Sequence, residues 1–195
     1  MNPWSRTGEA EYRELALRAH DLLADVPLHD AWRVSLPGEH RRCTMSEVRA
    51  AAEAARRAEF LGFPARGLFA LRGRLGAVFR WDREVAPGSW SLRPRLTEED
   101  HRASLVSPGT KDGPFSVVYV FEKEALSEVR NATIQAYLAW AIRRVAGGHE
   151  LIWAIYALPV GPWSGPYLAL IEPFRRFIVY PALLTALHRA WIGQA

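Results

Sequence analysis

The sequence predicts an α+β fold in which helices cover one side of a curved antiparallel sheet and a long C-terminal helix closes over that sheet. Apolar residues recur at three- and four-residue steps toward both ends of the chain, which indicates amphipathic helices there. Between residues 89 and 159, short β-branched and aromatic runs are separated by Gly and Pro turn signals, as in an antiparallel sheet. A chain of 195 residues, 49% of them hydrophobic, can bury a core of this layered kind.

The first segment, residues 9–24, has the spacing of an amphipathic helix that ends before Pro27. Residues 31–36 follow with the pattern of a short strand. We therefore divide the chain into an N-terminal helical extension, residues 1–26, and a single domain, residues 27–195.

Two further helices are predicted before the sheet. Thr44 and Glu47 have the spacing of a capping box, in which hydroxyl and carboxylate each bond a free backbone N–H, so we expect a helix over residues 46–60. Its apolar face predicts a close approach of the packing partner, because it consists of small side chains: Ala51, Ala52, Ala55 and Ala58. Leucine spacing predicts the second helix over residues 67–80.

The sheet is predicted from four strand-like runs, residues 89–96, 102–106, 115–121 and 151–158. Residues 128–145 fit a helix and a strand equally, and the local pattern leaves both open. As a strand, this segment has one apolar face and one polar row, because alternate side chains point the same way: Asn131, Thr133, Gln135 and Tyr137. The row either lines a pocket or forms the solvent side of the sheet.

The last predicted helix, residues 166–191, keeps helical spacing over about seven turns and is the longest element. We expect Ser164 to cap it. Pro173 and Pro181 are expected to kink it, because each removes an internal hydrogen bond. A helix of this length with an apolar stripe must lie across the sheet.

Composition excludes several classes of protein. A single cysteine, Cys43, cannot form an internal disulfide, and this favours a cytoplasmic location. We expect no signal peptide and no membrane span, because the start is polar and charges and prolines interrupt the apolar residues 151–190. Arginines crowd between residues 33 and 83 but lie all around the helical turns, so we expect solvated helix faces and no nucleic-acid partner.

Four segments resemble the family catalogued as domain of unknown function 2867: HDAW at 29–32, LFALR at 68–72, residues 148–159, and YLALIEPFRRFIV at 167–179. The resemblance covers about residues 27–191, favours a strand over 128–142 and implies a fold more than an activity. The element order is also similar to the helix-grip fold of START-like lipid-transfer domains and polyketide cyclases. That similarity implies a cavity between the sheet and the C-terminal helix. Family members often carry a histidine where this chain has Arg175.

The sequence contains no phosphate-binding glycine loop, HExxH motif or cysteine pair, so we expect no metal and no cofactor. His29 and Asp30 are candidate catalytic residues if one of them points into a cavity; otherwise they form a turn. On a strand, neighbouring side chains face opposite sides, so the two should not form a dyad. In the polar row, Asn131, Gln135 and Tyr137 are candidates for orienting a carbonyl group or moving a proton.

Arg72 lies on an apolar stripe and is either an ion-pair partner or an anchor for an anionic ligand group. Aromatic residues in the C-terminal half are candidates for core packing or ligand contact, and we name these as ligand contacts: Trp140, Trp153, Tyr156, Tyr167 and Phe174.

The resulting hypothesis is a protein that holds a hydrophobic metabolite, polyketide-like or isoprenoid, between the sheet and the C-terminal helix. Whether it also catalyses a reaction stays open; the reaction class would be a cofactor-independent cyclisation, isomerisation or dehydration. The alternative is a non-enzymatic interaction module that forms a homodimer through exposed aromatic residues of the C-terminal helix.

Overall fold

The computed structural model describes residues 2–38, 43–57, 88, 90–131, 134–161 and 164–193. The N-terminal half contains β1 (Trp4–Arg6), α1 (Glu9–Arg13), α2 (Arg18–Leu22), β2 (Leu28–Pro37) and α3 (Met45–Arg57). A 3-10 turn (Arg93–Arg95) and α4 (Glu98–Ala103) precede the hairpin strands β3 (Lys111–Asp112), β4 (Phe115–Val120), β5 (Glu124–Arg130), β6 (Ile134–Val145) and β7 (Gly148–Pro159). The chain then forms α5 (Ser164–Phe174), a π turn (Arg175–Val179) and α6 (Tyr180–Ile192).

The described strands form one antiparallel sheet of seven strands in the order β1-β2-β7-β6-β5-β4-β3. Strands β3 to β7 follow one another as hairpins, whereas β2 pairs with the far end of that meander at β7. The α+β class, the antiparallel sheet and the C-terminal helix are therefore confirmed. The first 26 residues do more than extend the domain, because β1 adds an edge strand to the sheet.

In its described residues, the ambiguous segment 128–145 is strand rather than helix, as the family resemblance favours, but it divides between two strands. It is the end of β5 and the whole of β6, joined by a turn in which the Asn131 side-chain oxygen accepts the Ile134 N–H at 3.0 Å. Antiparallel pairing of β6 with both β5 and β7 satisfies its backbone groups. This tertiary pairing decides a choice that the local periodicity leaves open.

Three local predictions are wrong. Residues 9–24 form two short helices, α1 and α2, rather than one. The runs at 89–96 and 102–106 are not strands: the described part of the first holds the 3-10 turn, and α4 overlaps the second. A capping box begins α4, in which the Thr97 hydroxyl accepts the Asp100 N–H and the Asp100 carboxylate accepts the Thr97 N–H.

Other predictions hold in the described residues. The Thr44–Glu47 capping box is present, with the Thr44 N–H donated to the Glu47 carboxylate at 2.8 Å, and it begins α3. The predicted strands at 31–36, 115–121 and 151–158 correspond to β2, β4 and β7. The helix predicted over 67–80 and the end of that predicted over 46–60 lie outside the described residues.

The sheet has two faces with different cover. We call the face under α3 and α6 the inner face; its core includes Trp32, Val34, Leu36, Val117 and Leu151. The opposite, outer face packs against α1, α2 and residues 90–96; its core includes Val118, Leu126, Ala139, Ile152 and Tyr156. The core side chains of the outer face alternate with those of the inner face along the same strands.

The C-terminal helix runs across the inner face and changes pitch once. Its π turn lies between Pro173 and Pro181, where the missing proline N–H disrupts the regular α-helical bonding. The kinks predicted at the two prolines therefore appear as a single π turn between them. Two indoles fasten α6 to the sheet edge: Trp4 donates to the Thr185 hydroxyl at 2.9 Å, and Trp191 donates to the Pro37 carbonyl at 3.0 Å.

The Ser164 hydroxyl acts differently from the predicted cap. It accepts the N–H groups of Val160 and Gly161, at 3.2 and 2.9 Å, and so ties down the preceding loop. In the described part of the chain, no helix has the length and apolarity required to cross a membrane.

Candidate functional site

Three tryptophans lie side by side across the inner face. Trp140 on β6 is the cross-strand partner of Trp153 on β7, and Trp153 is in turn the partner of Trp32 on β2. The rings of Trp140 and Trp153 are tilted toward each other with centroids 5.4 Å apart. We call these three residues the tryptophan row. It exists only because strands distant in sequence pair in this register.

A cavity of about 810 Å³ lies between this part of the sheet and the helices α3 and α6. Its floor includes Trp140, Trp153 and Leu138. Opposite them, Leu183, Ala186 and Leu187 of α6 and Ala52 and Ala55 of α3 complete the apolar lining. The volume falls in the range of small-molecule sites, about 300–1,000 Å³, and the apolar lining is typical of such sites.

Small side chains create this space. On β5, Ala125 lies beside Trp140, and Ala52 and Ala55 project from α3 toward the cavity. We predicted that the alanine face would let the partner backbone approach closely. Ala51 is buried in the core as expected, whereas Ala52 and Ala55 border the cavity. Truncated side chains thus leave room that a larger residue would occupy.

Charged groups from α3 and β3 form one edge of the cavity. Arg49 and Arg56 both bond the Asp112 carboxylate, at 2.9 and 2.8 Å, and Arg56 also bonds Glu53 at 2.5 Å. Asp112 thereby joins α3 to the sheet edge. These ion pairs hold the cavity wall in place while their opposite charges largely neutralise one another.

His29 and Asp30 reach the same side of the sheet, contrary to the prediction. The register of β2 against β7 shifts between Leu28 and Asp30, so His29 is an extra, bulged residue. Its Nε2 lies 2.9 Å from a carboxylate oxygen of Glu172 on α5. Asp30 alternates with Ala31 of the outer face and therefore points to the inner face.

Asp30 lies in a polar cluster at the π turn. One of its oxygens, Oδ1, accepts two hydrogen bonds from Arg6, whereas Oδ2 is buried and has no partner among the described residues. Nearby, Arg175 donates to the Tyr180 hydroxyl and forms an ion pair with Glu172 at 3.7 Å. Burial raises the pKa of Tyr180 to about 12, although Arg175 opposes this rise.

This cluster does not line the 810 Å³ cavity. A crevice too narrow for a water molecule separates them, lined by Trp32, Trp153, Tyr180 and Leu183 among others. Trp153 and Leu183 border both spaces. The structure therefore brings His29 and Asp30 under the C-terminal helix but leaves them outside the cavity.

Gln135 and Tyr137 of the polar row lie on the outer face and do not line the cavity, whereas Thr133 lies outside the described residues. Tyr137 pairs with Tyr156 across the strands and donates its hydroxyl hydrogen bond to the Trp90 carbonyl at 2.8 Å. Gln135 donates to the Tyr137 hydroxyl at 2.5 Å and accepts from Arg130 at 3.2 Å. Asn131 holds the β5–β6 turn. Because β6 alternates, the faces that carry this row and Trp140 are opposite by necessity.

The other predicted ligand contacts are dispersed. Tyr156 is fully buried on the outer face, where its hydroxyl donates to that of Tyr12 at 3.2 Å. Phe174 is 41% exposed at the end of α5. Arg72 and the side chain of Tyr167 lie outside the described part of the structure. Among the described members of the predicted set, only Trp140 and Trp153 line the cavity.

Sequence reasoning missed the cavity residues of α3 and β5. Leu138 could have been found, since it shares the apolar face of β6 with Trp140 at a two-residue step. Ala125 and Ser127 carry no such signal, because their positions beside Trp140 and Leu138 depend on the β5–β6 register. Among the described residues, no group of three or more His, Cys, Asp or Glu side chains could hold a metal ion.

Comparison with known proteins places the chain in a family. A family model described as "Protein of unknown function (DUF2867)" matches residues 22–182, and the chain belongs to that family. This confirms the resemblance carried by the four sequence segments. No curated protein matches the chain.

Proposed function

We propose that the chain binds a hydrophobic small molecule, polyketide-like or isoprenoid in character, in the cavity between the inner face and α6. The observation that carries this proposal is an 810 Å³ space, lined largely by apolar and aromatic side chains, between the inner face and the helices α3 and α6. A helix that closes over an antiparallel sheet is the helix-grip arrangement, and ligand binding beneath the helix fits that arrangement. The apolar and aromatic lining favours a hydrophobic occupant over water.

The proposal concerns binding rather than turnover. His29 and Asp30, the candidate bases, lie beyond the narrow crevice, and Gln135 and Tyr137 lie behind the sheet. A general base has to come within about 3 Å of the proton that it takes, and none of these four residues lines the cavity. A cyclase activity stays a prediction. The ligand has to be identified before that activity can be tested.

The test is uptake of fluorene, a flat apolar tricycle, by equilibrium dialysis, with native mass spectrometry of the purified protein to detect a retained ligand. Wild-type protein should take up fluorene saturably at one site. Ala52→Trp should abolish that uptake, because the added indole occupies the cavity. Ala54→Trp is the matched control, since Ala54 is exposed on the same helix. No saturable uptake by the wild type, or equal uptake by both variants, contradicts the proposal.

A second candidate function is self-association of two copies of the chain at the π turn. Phe177 is 73% exposed, and with Phe174 it forms an apolar spot on the outside of the C-terminal helix. Sedimentation equilibrium should then give a dimer that Phe177→Ser dissociates. A monomer for the wild-type protein at about 100 μM, well above the dissociation constants of most specific dimers, excludes this function.

A further inference from the structure

We propose that the ligand of the cavity carries an oxygen function, a carbonyl or hydroxyl group, that forms a hydrogen bond with the Ser127 hydroxyl. This inference rests on the proposed binding function and specifies both the class of ligand and the residue that orients it. Ser127 would then distinguish an oxygenated ligand from a hydrocarbon of the same shape.

Ser127 lies on β5 in the floor of the cavity. It is the cross-strand partner of Val117 on β4 and of Leu138 on β6, so its side chain points to the inner face with theirs. Its neighbours in the lining on β5 and β6 are Ala125, Leu138 and Trp140. Ser127 therefore places a hydroxyl group in a largely apolar floor.

The Ser127 hydroxyl differs from the other polar atoms of this floor in being accessible. The indole N–H groups of Trp140 and Trp153 are enclosed by the protein. No hydrogen bond joins the Ser127 hydroxyl to another described residue, and the hydroxyl is not enclosed as the indole groups are. Ser127 keeps 8% of its surface accessible, and because the residue borders the cavity, that surface faces the cavity.

The arginines of the lining are in a different position, because they bond carboxylates of the protein. Arg49 and Arg56 both bond Asp112, and Arg56 also bonds Glu53. The Ser127 hydroxyl instead depends on what fills the cavity. A hydrocarbon packed against it would displace water without replacing the hydrogen bond, which is unfavourable. A ligand oxygen replaces that bond, because a serine hydroxyl both donates and accepts.

The test compares 9-fluorenone with fluorene, which share a tricyclic skeleton and differ by one carbonyl group. Equilibrium dialysis gives the ratio of the two affinities for each protein. Ser127→Ala removes the hydroxyl and should lower the preference for fluorenone about fivefold, the factor that one net hydrogen bond supplies. Fluorene binding should be retained, which shows that the cavity of the variant is intact.

The carbonyl stretch of bound fluorenone in the infrared spectrum is a second, direct measurement. A hydrogen bond weakens the C=O bond, so the frequency in the wild-type protein should lie below that of fluorenone in hexane. In Ser127→Ala it should return toward the hexane value. A wild-type frequency equal to that in hexane overturns the inference without reference to any variant.

Ser116→Ala is the matched control, because Ser116 on β4 pairs with Glu128 and lies on the outer face. It should change neither the affinity ratio nor the carbonyl frequency. An unchanged ratio in Ser127→Ala, or an equal fall in Ser116→Ala, overturns the inference while fluorene binding upholds the proposed function. A wild type that binds fluorene but not fluorenone overturns it too. If neither compound binds, the proposed function fails as well.

Discussion

The two faces of the sheet differ in how their buried polar groups are hydrogen-bonded. On the outer face, both oxygens of Glu124 and of Glu128 are bonded: Glu128 accepts from the Ser91 hydroxyl, the Leu92 N–H and the Arg93 guanidinium. On the inner face, the buried indole N–H groups of the tryptophan row have no partner among the described residues. The same strands therefore carry hydrogen-bonded buried carboxylates on one side and a cavity bordered by tryptophan side chains on the other.

The carboxylates of β5 explain how the outer face is held together. Glu124 accepts the backbone N–H groups of Arg18 and Ala19 at the start of α2, and also the Tyr119 hydroxyl. Burial raises the pKa of Glu124, whereas those hydrogen bonds favour its charged form. Glu124 and Glu128 each attach one covering segment to the sheet. Buried carboxylates that are bonded to protein donors in this way stabilise the packing of the covering segments on the sheet.

The largest effect is expected from breaking the outer network. Glu128→Ala should lower the free energy of unfolding by about 3 kcal/mol, because Arg93 and two further donors lose a fully buried acceptor. Glu99→Ala, an exposed glutamate, is the control and should change stability by less than about 0.5 kcal/mol. Urea unfolding measures both. A loss below that of the control would mean that Glu128 does not hold residues 91–93.

A smaller effect separates the faces directly. Tyr137→Phe removes the hydroxyl bonds to Trp90 and Gln135 and should lower the free energy of unfolding by about 1 kcal/mol. Fluorene affinity should stay unchanged, because Tyr137 lies on the outer face, away from the cavity. Tyr156→Phe, on the same face, should behave alike. Weaker ligand binding at unchanged stability would assign the polar row to the ligand site.

The smallest effect is expected in the pH dependence of stability, through a histidine of α2 on the outer face. His20 stacks edge-on against Tyr12 with centroids 4.8 Å apart, and burial, with help from Arg13, lowers its pKa below the ordinary value. The unfolded chain then binds more protons as the pH falls through about 6.5, so stability is present above that pH and lost below it.

His20→Gln should reduce the loss of stability between about pH 7.5 and 5.5. The expected change is less than that of Tyr137→Phe, since Asp21 opposes the shift in the pKa of His20. Thermal unfolding at several pH values measures it. The difference between variant and wild type isolates His20, because His149, whose pKa burial also lowers, contributes equally to both. If the stability of the variant and of the wild type changed equally with pH, His20 would not be the source of the pH dependence.

Much of the fold could be predicted because its signals are local. The Thr44–Glu47 capping box, the strand before Pro37 and the periodicity of residues 166–191 each depend on neighbours within a few positions. Local patterns predict the wrong element where a strand pattern and a helix signal overlap. Residues 102–106 look like a strand, but the Thr97–Asp100 capping box begins α4 just upstream.

The site could be predicted only in part, for a physical reason. Alternation along β6 separates Trp140 from Tyr137, but it does not say which face meets the helices. We identified the polar row as the more suggestive feature, and it lies on the structural face. The bulge at His29, which turns it toward Glu172, also leaves no trace in the local pattern.

The sequence by itself determined the α+β class, the capping of α3, the long C-terminal helix and the family to which the chain belongs. Only the tertiary structure decided that Trp140, Trp153 and Trp32 stand in one row and that α3 and α6 leave a space above it. Periodicity fixes which side chains share a face of one strand. Register and helix placement arise from pairings between distant parts of the chain, and those pairings determine what each face encloses.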